Sequence, residues 1–421
     1  MRLVQVNDHG VMVGGVESYM ADLSDLLESA GIEVIQVYGI ASPHESPSGG
    51  ESRPQRLLGD CCPLTRRRVF CPDLLRPHLG VRERHRLRQL VEALSPDAIL
   101  VHHIESPDVL EFFCTVRPTV QFVHVPSRFV CPGRGKFYAK GHVPCHRPFG
   151  PYCLIAPFRH GCGSRRPWTI LSNSWLTRRW ISATQHLRRI LVASEYMKRE
   201  LEAVGIPAEK IVVNPLFFSS DRAEDEARRP SDGAAVPLFR SDAVPIVLFC
   251  GRMYDYKGAD YLLDALAHVK ALVRAIFIGD GPERARLQRK SKELGLHHNV
   301  DFPGWLDRRE VKQLYRWARV LVMPSLWPEP FGRVGIEAMA EGAPVVAFGV
   351  GAIPEWLADG EVGFLVEPRN VRQLAEKIER LVTDDDLFQR MSARARSLVA
   401  ERFSPEGHLH RLLDVMISAQ R

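Results

Sequence analysis

The strongest constraint on the fold of this chain is an alternation. Short apolar runs that stop at a turn residue are followed, repeatedly, by stretches with helical spacing. In the first half, Leu3 to Asn7 reads as a strand and Gly10 to Gly15 as a glycine-bearing loop. Val16, Tyr19, Met20, Leu23, Leu26, Leu27 and Ala30 then recur at helical spacing before Gly31, and Ile32 to Tyr38 reads as the next strand. Further strands are expected at Ala98 to Val101, Thr119 to Val125, Arg189 to Ala193 and Lys210 to Val213. A second series follows, at Pro245 to Cys250, Leu272 to Ile278, Arg319 to Met323, Pro344 to Phe348 and Phe364 to Val366. Helices are expected between its strands, from Ala259 to Lys270 and around Val311, Leu314 and Tyr315. Strands apolar on both faces belong to parallel sheets covered by helices. Two such series predict two doubly wound, Rossmann-like α/β domains facing across a cleft.

Ser219 to Ser241 mixes charges, Pro, Gly and Ala without apolar periodicity and reads as the link between them. The expected division is a first domain over residues 1–218, a linker over 219–243 and a second domain over 244–403. A helix in residues 404–421, from Pro405 to Ser418, returns to the first domain. At 421 residues the chain is too long for a single ordinary core, which agrees with this division.

The bulk numbers exclude several classes. A formal charge of +6 is too mild for a general nucleic-acid binder. The first apolar run is too short for a secretion signal, and no run reaches about 18 apolar residues, so a cytoplasmic protein is expected. Nine cysteines, an odd number, argue against a disulfide scaffold. Four of them, Cys131, Cys145, Cys153 and Cys162, fall in a Gly-, Pro- and Arg-rich insert over residues 131–162. Reduced thiols are the first reading there. A structural zinc is the alternative, although no C-x-x-C knuckle is present. Arg66 to Arg88 is Arg-heavy, with an amphipathic helix expected from Val81 to Leu94. A solvated face explains it, and a surface for anionic lipid or an acidic acceptor is the alternative. Ala41 to Pro54 reads as a loop.

Chemistry concentrates after the strand Arg319 to Met323, in Trp327 to Ala340. Glu329 lies in a loop, Glu337 in the helix that follows, and the early Gly332 and Gly335 mark the turn between them. The unpaired N–H groups of a first helical turn suit a phosphate, while carboxylates accept from hydroxyls and repel phosphate. Sugar hydroxyls, phosphate and ribose hydroxyls outline a nucleotide-sugar. A solvated loop Glu and a surface Glu would look the same on this stretch alone. Arg252 and Lys257, five residues apart, stand at the end of another strand of the same domain and add a fork and a point charge for phosphate oxygens. His124 ends a strand of the first domain, where a lone histidine is usually structural. Gly14-Gly15 opens a helix without the G-x-G-x-x-G pattern.

Read together, GRM-YDY-KG from Gly251, GDGP from Gly279 and EPFGRVGIE from Glu329 resemble the retaining nucleotide-sugar glycosyltransferases of family 4 (glycosyl transferases group 1), which have the GT-B fold. The likeness runs through nearly all of the second half and a few residues of the first. It implies that Arg252 and Lys257 clamp the donor diphosphate and that Glu329, with Phe331 and Gly332, holds the donor sugar. It further implies that Arg333 and Val334 meet the phosphate through their amides, that Glu337 accepts from the ribose, and that Phe302 to Gly304 lies near the base. Gly14 and Gly15 would let backbone approach the diphosphate, and His124 would stand beside the anomeric carbon. The resemblance implies no metal and no cofactor, only a UDP- or GDP-linked donor. It also implies a glycan, lipid-linked or small-molecule acceptor, a part in polysaccharide or glycoconjugate biosynthesis, no nucleic-acid partner, and room for peripheral contact with the inner face of a membrane. Val125-Pro126 after His124, Arg333 and the cysteine insert depart from the common pattern. A nucleotide-sugar epimerase or sugar phosphorylase of the same fold, or a non-catalytic scaffold, are the alternatives.

Overall fold

A computed structural model describes residues 1–10, 14–40, 67–125, 127–133, 135–218 and 244–420. The expected loop Ala41 to Pro54, Arg66 and the linker 219–243 lie outside the described residues, as does part of the loop Gly10 to Gly15. The chain forms two compact units. One comprises residues 1–136, 146–216 and 406–421, and the other residues 137–145 and 217–405.

The first unit is built on a sheet of β1 (Arg2–His9), β2 (Glu33–Ile40), β3 (Arg67–Phe70), β4 (Ala98–Val101) and β5 (Thr119–Val123), with two later strands. A two-residue-per-strand hairpin, β6 (Phe137–Tyr138) and β7 (Val143–Pro144), intervenes in the chain before β8 (Arg189–Val192) and β9 (Ile211–Val213) complete the sheet. Its order is β3-β2-β1-β4-β5-β8-β9, all parallel. The strand order reverses between β1 and β4, where Val6 faces Val101. Every residue of β4 and β5 is buried, as expected for strands covered on both faces.

The second unit carries β10 (Ile246–Cys250), β11 (Arg274–Ile278), β12 (Val300–Gly304), β13 (Ala318–Met323), β14 (Val345–Phe348) and β15 (Gly363–Val366). Their order is β12-β11-β10-β13-β14-β15, again parallel. Here the order reverses between β10 and β13. In open α/β sheets the crevice at such a reversal is where ligands bind. Both predicted cation and carboxylate stretches leave the sheet at this point.

Two expected boundaries move. The segment 137–145, placed by sequence with the first domain, belongs to the second unit. The Phe137 ring meets Tyr256, with ring centres 6.1 Å apart, and Arg369 donates to the carbonyls of Gly141 and His142. His142 Nε2 lies 3.6 Å from Asp255. Three anchors on one short hairpin outweigh its position in the chain. The change of unit near the C-terminus falls at Glu406, inside the helix Pro405–Gln420. That helix is buried in the first unit through His408, whose Nε2 lies 2.9 Å from Tyr19 Oη and whose Nδ1 lies 2.7 Å from the Pro215 carbonyl.

In the Arg-heavy stretch Arg68, Arg76, Arg82, Arg84, Arg86 and Arg88 are exposed, while several apolar residues between them are buried. Arg86 donates twice to Asp73, at 2.8 and 2.7 Å, and the helix Val81–Leu94 buries Leu87, Val91 and Leu94. Cys131, Cys145, Cys153 and Cys162 are free thiols. Cys145 Sγ donates to Tyr138 Oη at 3.1 Å, and Cys131 Sγ accepts from the Gly133 amide. Among the described residues the one group of three side chains able to share a metal ion is Asp8, His103 and Glu105, which contains none of these thiols.

Candidate active site

The loop after β10 makes a tight descent that only small residues allow. Gly258 has φ +72°, and a Cβ there would lie 1.9 Å from the Pro324 carbonyl oxygen, at the end of β13. The loops after β10 and β13 are therefore pressed together, and Leu326 N–H donates to the Tyr256 carbonyl at 2.9 Å. This contact brings Lys257 to Glu329. Lys257 Nζ lies 2.6 Å from Glu329 Oε1 and 5.1 Å from the centre of the Trp327 ring. Glu329 is only 7% exposed, so its charge requires a partner, and Lys257 supplies it. The family resemblance implies separate tasks for the two residues, whereas the structure joins them in one ion pair. Arg252 is exposed on the same loop. Tyr256 lies within electrostatic reach of both Arg252 and Glu329, and burial is the main cause that raises its pKa.

The turn before the helix Arg333–Glu341 is held from below. Trp356 Nε1 donates to the Phe331 carbonyl at 2.6 Å, and Gly332 caps the helix at φ +89°. A Cβ on Gly335 would stand 2.2 Å from the Trp356 ring. The helix start is thus seated on an indole that leaves no room for a methyl group. The helix begins at Arg333, two residues later than Phe331, so Phe331 and Gly332 belong to the loop. Arg333 Nε donates to Glu337 Oε1 at 2.7 Å, one turn along. Glu337 also lies near Cys250 at the end of β10, whose thiol burial pushes up to about 12. Gly304 ends β12, and its carbonyl accepts from Gly279 N–H at 2.8 Å. Gly279 in turn leaves no space for a Cβ against the Gly251 carbonyl, at 2.2 Å. The structure therefore places Lys257, Glu329, Phe331 and Gly332 on the β10 and β13 loops, and Arg333, Val334 and Glu337 on the helix that follows the β13 loop. A row of glycines links Gly304 to the same edge.

Three predicted residues belong to the first unit. The carboxylate of Glu17 accepts from Gly14 N–H at 2.9 Å and also meets Asn7 Nδ2, which holds the start of the helix Gly15–Ser29. A Cβ on Gly15 would meet nothing within 4 Å, so packing does not demand glycine there. His124 follows β5, with its ring stacked on Phe122 at 4.5 Å. Sequence reasoning missed its support. His124 Nε2 lies 3.0 Å from His102 Nδ1, and His102 Nε2 lies 3.2 Å from Gln5 Oε1. Gln5 Nε2 donates to Ser24 Oγ, so its oxygen faces His102 and accepts. His102 then donates through Nε2 and accepts at Nδ1, which assigns a proton to Nε2 of His124. Burial depresses the pKa of His102 to about 3, so it stays neutral. The available signal was the pair His102-His103 at the end of β4, on the same edge as His124.

Two parallel doubly wound units, with a cation–carboxylate pair at the strand-order reversal of one of them, define a GT-B protein. The model for glycosyl transferases group 1 matches residues 237–398, and that for glycosyltransferase family 4 matches residues 13–222. The chain belongs to this glycosyltransferase family. α-D-Kanosaminyltransferase of Streptomyces kanamyceticus is 31% identical over 218 residues, 50% of this chain and 54% of that protein. D-inositol 3-phosphate glycosyltransferase of Streptomyces bingchenggensis is 35% identical over 211 residues, 47% of this chain and 46% of that protein. The chain spans about half the length of the curated relatives it matches. A crystal structure of Anabaena HepE in complex with UDP shares the fold, with a TM-score of 0.68 and 19% identity over 99% of this chain and 100% of that one.

Proposed function

We propose that the protein transfers a sugar, with retention of anomeric configuration, from a nucleotide diphosphate to a hydroxyl group of a glycan, lipid-linked or small-molecule acceptor. The observation that carries this reading is the 2.6 Å pair of Lys257 and Glu329, in which Glu329 lies on the loop that leads into the helix Arg333–Glu341. A cation with a helix N-terminus, a buried carboxylate and a second carboxylate, Glu337, on one edge match the three parts of a nucleotide-sugar: diphosphate, sugar hydroxyls and ribose.

In this reading Lys257 and Arg252 hold the diphosphate and stabilise the charge that develops on the departing nucleotide. Glu329 and the backbone of Phe331 and Gly332 bind hydroxyls of the donor sugar. The amides of Arg333 and Val334 receive phosphate oxygens, Glu337 receives the ribose, and Gly304 faces the base. Gly14 and Gly15 allow backbone to approach the diphosphate. His124, with its proton on Nε2 toward His102, stands on the acceptor side. Uridine is the base to try first, because Anabaena HepE was crystallised with UDP.

The test is release of free nucleotide from UDP- and GDP-sugars in the presence of sugar acceptors, with product stereochemistry read by NMR. Acceptor-dependent release with retention is expected. Inversion of configuration, or absence of release from every donor that binds, overturns the reading.

A further inference from the structure

From Phe112 to Ser194 the chain contains no aspartate or glutamate, but eleven arginines and two lysines. This stretch of 83 residues carries a formal charge of +13, so the rest of a chain of net +6 sums to −7. Inside it lies the helix Pro167–Thr184, which buries Ile170, Ser174, Thr177 and Trp180 against its own unit. At 100° per residue, Trp168, Leu171, Trp175 and Arg178 fall within about 80° of arc on the opposite face. All four are exposed, Trp168 by 83%. Before this helix in the chain, Ile155 at the start of the short helix Ala156–His160 and Phe158 within it are also exposed. Asp108 and Glu111, on the helix Pro107–Val116, are paired with Arg179 of the helix Pro167–Thr184, at 2.9 and 3.0 Å.

We propose that this face of the helix Pro167–Thr184, with the segment 154–158, docks the protein on an anionic lipid bilayer. Indole rings settle at the boundary between headgroups and acyl chains, and aliphatic side chains pass below it. Arginines at the rim meet the negative headgroups without competition from carboxylates. Both features are present here, Arg165 and Arg166 at one end of the helix and Arg178 towards the other. No helix among the described residues is long and apolar enough to cross a membrane, so the attachment lies in the surface plane. A patch meant for nucleic acid would offer rings for stacking but would not add leucine and isoleucine. This inference stands apart from the assignment of the donor site.

The full chain is sedimented with vesicles of phosphatidylcholine alone and with vesicles that add phosphatidylglycerol, while tryptophan fluorescence is followed. The protein should pellet only with anionic vesicles, with a blue shift, and release as salt rises. Trp168→Ser and Trp175→Ser should each weaken binding roughly tenfold. Leu272→Ser, an exposed apolar residue of the other unit, should leave it unchanged. Circular dichroism confirms that the variants fold, and light scattering reports their association state. Equal pelleting of the double tryptophan variant, failure of the wild type to bind anionic vesicles, or binding to RNA in preference to them overturns the proposal. So does self-association that the same substitutions abolish, because the face would then serve a second copy.

Discussion

Lys257 and Glu329, 72 residues apart in the chain, form a 2.6 Å ion pair in which the carboxylate is almost wholly buried. The lysine offsets the cost of burying that carboxylate. Lys257→Ala should leave a lone buried carboxylate and cost about 3 kcal/mol, whereas Lys257→Met with Glu329→Gln should recover most of that loss. Neither protein should transfer sugar, with turnover down at least about a hundredfold. Chemical denaturation and nucleotide release, measured on both variants, check this. Wild-type turnover in either would remove the pair from the site.

The contact between His102 and His124 predicts a tautomer. Nitrogen-15 NMR of the imidazoles should show Nε2 protonated in both rings, with His102 neutral across the working pH range. His102→Ala should lower kcat with little change in donor KM and free the ring of His124 to change tautomer. His102→Gln, which can still accept from His124, should restore part of the rate. Equal defects in both variants, with an unchanged His124 spectrum, would make His102 purely structural.

Stability should fall in acid for a specific reason. Burial depresses His408 to about 4 and His102 to about 3, against an ordinary value of 6.5. Below pH 6.5 the unfolded chain takes up protons that the folded chain refuses, so the folded state loses ground as pH drops toward 4. Each histidine should contribute roughly 1.4 kcal/mol per pH unit over that interval. Denaturant midpoints measured from pH 7 to 4.5 should show the slope, and His408→Gln should reduce it by about half.

Gly335 faces the Trp356 ring with no space for a methyl group. Gly335→Ala should destabilise the protein by about 1–3 kcal/mol and weaken nucleotide binding by displacing the helix start. Pairing it with a smaller residue, Trp356→Leu, should recover stability but not affinity, because the indole also donates to the Phe331 carbonyl. Calorimetric melting and nucleotide titration separate these effects.

Much of the architecture was legible along the chain. Strand and helix periods in both halves, and motifs at strand ends, were read from residues close together, and β4, at Ala98–Val101, appears where expected. The helix Pro167–Thr184 was not, because Ser, Thr and Arg break its apolar rhythm and its tryptophans lie on the outward face. The helix Pro107–Val116 was missed because its inward face and its flanks are alike apolar, which blurs the period.

The sequence alone determined that two series of parallel strands form, and that cations and carboxylates gather at the strand ends of the second. Both follow from local hydrophobic period and backbone preference. Only the tertiary structure decided that Lys257 takes Glu329 as partner, that His102 orients His124, and that the hairpin 137–145 joins the second unit. Those outcomes depend on register and desolvation between segments far apart in the chain. No local pattern encodes which buried charge will find which counter-charge.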